Sequence, residues 1–143
     1  MAVHGPGLDA SFKSGANLNT TTSDWQPVRI SSAGSVNLAN TTTQRVIGVL
    51  QNRPKTGTGA ACVVRSVGFS KLAMNDTCSA GDLVVRGAGG AVRGTGLSAT
   101  INRSVIGRAT EASAASGTVI NVLLTPGVAL VGDTTTAVNV VLD

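Results

Sequence analysis

The sequence predicts an all-β fold, a small β-barrel or β-sandwich flanked by an extended N-terminal arm and a C-terminal tail. Three observations predict it. Short runs of alternating or β-branched apolar residues recur between turn-forming clusters, few windows favour helix, and large side chains are scarce. Aromatic residues are 2% of the 143 and Tyr is absent, so Phe12, Trp25 and Phe69 are the only large flat side chains. A core must therefore be assembled from Val, Ile, Leu and Ala, which bury less area per residue than aromatics do. Self-association is expected of such a chain.

Taken in order, residues 1–25 carry Gly5, Pro6, Gly7 and Gly15 and then the polar run Asn17–Asp24, without helical or alternating apolar order, and read as an extended arm closed by Trp25. Residues 26–126 read as the β-rich core domain. Val28–Ile30 and Val36–Leu38, on either side of Ser31–Gly34, form a hairpin. Arg45–Leu50 is a β-branched run suited to a buried strand, and it pairs across the loop Asn52–Gly59 with Ala60–Gly68. Phe69–Asp82 has the best local helix propensity, broken at Asn75–Thr77, and predicts a short helix or a strand end. Leu83–Arg86 and Ala91–Arg93 flank a glycine turn, and Ser104–Ala109 pairs with Thr118–Leu124 up to Pro126. Residues 127–143 form a tail in which Ala137–Leu142 alternates partly, enough to add a strand in its own chain or in a neighbour. Val46-Ile47-Gly48 and Val105-Ile106-Gly107 repeat at a separation of 59 residues, a weak sign of duplicated hairpins.

Charge excludes several function classes. The net charge is +4, yet charged residues are only 13% of the chain and the eleven cations come mostly singly. With almost no aromatic residues to stack bases, specific nucleic-acid binding is not expected, whereas attraction to an acidic surface is. No apolar run reaches the roughly 18 residues of a membrane span. The first residues lack the basic-then-apolar order of a signal peptide, so synthesis in the cytoplasm is expected.

Candidate chemistry is thin. Cys62 and Cys78 stand 16 apart without a CxxC pair, and the single His4 cannot complete a zinc set or orient a nucleophile from an arm. Buried, reduced thiols are expected. Gly87–Gly96 matches neither phosphate-binding glycine pattern. Asp76, Asp82, Glu111 and Asp133 could supply an acid and a base, but a sugar cleft would want aromatic platforms. The sequons at Asn19, Asn40, Asn75 and Asn102 follow from abundant Thr and Ser, and the runs Thr20–Thr22, Thr41–Thr43 and Thr134–Thr136 suit either solvated loops or segments lying along another protein. No enzyme activity, cofactor, metal or small-molecule substrate is expected.

Five elements in order carry a family resemblance: Arg45–Leu50, Ala61–Gly68, Ala80-Gly81-Asp82-Leu83-Val84 with the glycine turn Gly90-Ala91-Val92 after it, Val105–Ala109, and Gly117–Leu124. Over residues 45–125 this order resembles the capsid decoration (cement) proteins of tailed bacteriophages. The resemblance implies a β-tulip-like fold, homotrimers bound to the major capsid protein on the outside of the expanded head, and capsid stabilisation without catalysis. Trp25 is the expected anchor, with Lys13, Arg29 and Arg45 as contacts to the capsid or between subunits. The alternative is a β-rich phage fibre, tail or adhesin-like surface-binding module.

Overall fold

The computed structural model describes residues 7–94, 101–131 and 140–141. The chain is all-β. In order the strands are β1 (Gly7–Ser14), β2 (Pro27–Ser32), β3 (Ser35–Leu38), β4 (Gly48–Leu50), β5 (Ala61–Ala73), β6 (Leu83–Gly87), β7 (Gly90–Arg93), β8 (Ile101–Ala109), β9 (Val119–Val131) and β10 (Val140–Val141). A single 3-10 turn at Thr21–Ser23 stands between β1 and β2.

Each hairpin expected from the alternating runs is present: β2 with β3, β4 with β5, β6 with β7, and β8 with β9. The stretch 69–82 resolves to a strand end followed by turns, because Phe69–Ala73 continues β5 and pairs with β9. The expected arm differs more. Its residues 7–14 are extended, but they are an integral strand, antiparallel to β5 and parallel to β3. The expected boundary at 126 falls inside β9, and β10 pairs with β9 in its own chain. His4, Asp133 and Thr134–Thr136 lie outside the described residues.

The pairings form two rings that share one strand. In the first unit the order is β1, β3, β2, β4, β5 and back to β1. In the second, β5 takes the place of β1, and the order is β5, β7, β6, β8, β9 and back to β5. The β5-to-β7 closure is the parallel bridge of Met74 to Ala91, matching the parallel pairing of Ser14 with Val36.

Position-by-position agreement shows that these are two versions of one unit. The pair Phe12 with Cys62 corresponds to Leu72 with Ile120, and the pair Val28 with Gly48 corresponds to Val84 with Gly107. Hydrogen bonds outside the ladders recur too. Ser14 N–H donates to the Ala60 carbonyl at 2.8 Å where Met74 N–H donates to Thr118 at 2.9 Å, and Leu50 N–H donates to Gln26 at 3.0 Å where Ala109 N–H donates to Asp82 at 3.0 Å. Even a side-chain cap repeats: the Asn52 oxygen accepts from Val63 N–H, and the Glu111 oxygen accepts from Asn121 N–H.

The repeated Val-Ile-Gly has a physical reason. A Cβ on Gly48 would stand 2.2 Å from the Arg65 carbonyl oxygen, and one on Gly107 would stand 2.0 Å from that of Leu123. At both places the neighbouring backbone approaches too closely for any side chain.

Each ring encloses its own core. Val28, Val36, Leu50, Cys62 and Val64 fill the first with Leu18. Their counterparts Val84, Ala91, Ala109, Ile120 and Val122 fill the second with Cys78, Leu72 and Ile106. Ala39, Val46 and Val49 of the first unit also pack into the second core, joining the units by apolar burial as well as by β5. The two cysteines are free and lie in separate cores, and burial pushes both thiols above their ordinary range.

Candidate interaction surface

Residues on β5 alternate between the core and the outside, and the outward set is unusually apolar. Val64, Ser70 and Leu72 point inward, while Val67 is 52% and Phe69 36% exposed. Neighbouring strands extend the surface. Val67 pairs with Leu8 of β1, which is 64% exposed, and Phe69 pairs with Leu123 of β9, which is exposed as well. Leu8, Val67, Phe69 and Leu123 thus form an exposed apolar strip on the shared strand. Single exposed apolar residues need no explanation, but cross-strand partners that are all exposed do.

Two features shape the strip. Gly68, with φ of 103°, turns the backbone between Val67 and Phe69. Arg65 braces that turn: its Nε and Nη2 donate to the two oxygens of Asp9 at 2.7 and 2.9 Å, and its Nη1 donates to the Phe69 carbonyl at 2.9 Å. The hydrogen-bonded guanidinium holds the Asp9 carboxyl below its ordinary value of 3.8. A depressed folded pKa means that this stabilisation is complete above about pH 4 and is lost as pH falls through the folded value. Asp9→Asn is therefore expected to flatten the loss of stability on acidification below pH 4, read by urea unfolding between pH 2.5 and 7. At neutral pH the cost should be under about 1 kcal/mol, because the carboxylate is partly solvated and screened.

At one end the strip meets Trp25. Lys71, next outward on β5 after Phe69, places its Nζ 5.2 Å from the centre of the Trp25 ring, and Ala73 N–H donates to the Trp25 carbonyl at 3.0 Å. Trp25 packs partly on the second core and lines a cleft of about 400 Å³ with Asp24, Leu50, Gln51 and Arg53. The Asp24–Arg53 ion pair stands on its rim, and the hydrogen-bonded Arg53 lowers the Asp24 pKa. The Trp25 backbone is left-handed, with φ of 58°, and the matching position of the second unit is Gly81, with φ of 91°. Positive φ strains a bulky residue, and such strain tends to gather at functional positions. Here the chain keeps an indole where its own duplicate uses glycine.

At the other end Val67 lines a cleft of about 450 Å³ with Arg45, Val46, Ile47, Ser66, Ser104 and Pro126. Two of the four residues expected to make contacts, Trp25 and Arg45, thus flank the strip. The other two do not join them. Lys13 pairs with Ala61, six residues from Val67 along β5, or about 20 Å. Arg29 lines a separate groove of about 300 Å³ on the first unit with Leu18, Asn37 and Leu38. Removing residues 1–24 would remove β1 and open the first ring, so such a truncation would report on folding rather than on docking.

The strip itself escaped the sequence reading. Val67 and Phe69 look like members of ordinary apolar strand runs, and the signal that could have found them is parity: both are odd-numbered, whereas the inward Val64, Ser70 and Leu72 are even. Among the described residues no three His, Cys, Asp or Glu side chains gather into a set that could hold a metal. The sequence matches no model of a known protein family and no curated protein.

Proposed function

We propose that this protein binds the outer surface of a tailed-bacteriophage head and stabilises the capsid, with the major capsid protein as its partner. The exposed apolar strip on β1, β5 and β9 carries this reading. It offers a rigid, sheet-borne contact area with Trp25 at one end and Arg45 at the other, a composition suited to docking in a seam between shell subunits. The elements that carry the resemblance to decoration proteins fall on successive strands β4 to β9, in the same order. Sparse charge lets copies lie close together on a crowded shell, as the trimers that the resemblance implies. Many such contacts sum modest energies into mechanical resistance.

Sedimentation with purified, undecorated expanded heads tests the proposal. Wild-type protein is expected to pellet with heads saturably. The double variant Val67→Asp, Phe69→Asp is expected to bind at least about thirtyfold more weakly while keeping its far-ultraviolet spectrum. Equal binding by the two proteins would rule out the strip as the docking surface.

A further inference from the structure

The second unit contains a pair of arginines that its fold does not require. Arg86 of β6 is completely buried. Its Nη1 donates to the Gly90 carbonyl at 2.8 Å, while Nε and Nη2 have no partner among the described residues. Arg103 of β8 donates from Nη1 to the Arg86 carbonyl at 3.0 Å, and its own Nε is buried without a partner among the described residues. Burial, and then the positive charge of Arg103, push the Arg86 pKa down to about 10, which leaves it charged at neutral pH.

The vacant donors have a definite chemistry. Nε and Nη2 form the edge of a guanidinium that grips two oxygens at once. Arg53 and Arg65 use that same edge on the carboxylates of Asp24 and Asp9. No described carboxylate is left for Arg86. Asp76 faces Arg93, Asp82 accepts from Ser79 N–H, and Glu111 accepts from Asn121 N–H. A buried cation without a counter-charge is strongly unfavourable.

The duplication shows that architecture does not demand these groups. By the register of the two units, Arg86 corresponds to Ile30 and Arg103 to Gln44. The first unit carries an exposed Ile30 and a half-buried Gln44 where the second carries two positive charges.

We propose that Arg86 and Arg103 hold a small oxyanion of the phosphate, sulfate or carboxylate class, enclosed in the second unit. Because Arg86 has no exposed surface, the occupant is a free ion taken up as the ring closes, and it completes a core that would otherwise enclose uncompensated charge. The site is independent of the apolar strip and of the proposed docking to a shell.

Inorganic phosphate is the probe, added to the full chain in chloride buffer while thermal unfolding is followed. The wild type is expected to gain stability with the logarithm of phosphate concentration, the folding equilibrium constant rising about a hundredfold at a hundred times the dissociation constant. The variant Arg86→Ile, Arg103→Gln, which installs the residues of the first unit, is expected to show only the weak gain, linear in concentration, that such salts give any protein. In phosphate-free buffer it should melt above the wild type. Superimposable phosphate responses would overturn the proposal. If the variant does not fold, phosphorus NMR of the wild type decides: a bound phosphate signal displaced by sulfate supports the site, and its absence refutes it.

Discussion

Gly107→Ala is expected to destabilise the protein by about 3 kcal/mol. The new Cβ would lie 2.0 Å from the Leu123 carbonyl oxygen and 2.9 Å from its carbon, and both atoms belong to the paired backbone of β9, which cannot rotate away as a side chain could. Relief requires β8 and β9 to separate at the point where the β8–β9 register already shifts. Gly48→Ala should behave alike, since its Cβ would meet the Arg65 carbonyl at 2.2 Å. Thermal unfolding reads the effect as a fall in midpoint of roughly 10 °C for each variant. A loss below about 1 kcal/mol in both would mean that the strands do not approach this closely.

Leu72→Ala is expected to cost about 2–5 kcal/mol, because Leu72 is fully buried and its removal leaves a cavity in the second core. Its position on β5 gives the result a second consequence. Ala61–Gly68 closes the first ring and Gly68–Ala73 the second, so neither ring survives the loss of this strand. Unfolding followed by far-ultraviolet circular dichroism and by Trp25 fluorescence should therefore give one coincident transition in the wild type and in the variant, and Val64→Ala in the first core should lower that same transition. Two separated transitions would show that the units fold independently despite the shared strand.

The hairpins were legible in the sequence because each pairs two apolar runs across a turn, as Val28–Ile30 does with Val36–Leu38. The duplication was visible only as Val-Ile-Gly, for two physical reasons. Core positions kept their burial but not their side chains: Leu50 corresponds to Ala109, and Cys62 to Ile120, so large and small residues exchanged places while each ring stayed filled. Turns of different length also shift the spacing, so that Val28 and Val84 lie 56 apart while Gly48 and Gly107 lie 59 apart. No single period aligns both.

Strand β1 was missed for a related reason. Leu8, Ala10 and Phe12 do alternate, but they are the edge of a pattern whose partners on β5 lie 50 to 59 residues away. Of the expected contact residues, Trp25 drew attention as a lone aromatic. Its left-handed backbone and its glycine counterpart, which give it physical weight, appear only in three dimensions. Arg45 was one of three cations expected to make contacts, and the cleft beside Val67 sets it apart from Lys13 and Arg29.

The central claim is that this chain is a structural component of a virion shell. Counting its copies in purified virions, by quantitative mass spectrometry against the major capsid protein, tests that claim most directly. A copy number close to that of the shell subunit, on the outer surface, is the predicted result. A few copies per particle would contradict it and point to a fibre or tail module, and absence from the particle would contradict it outright.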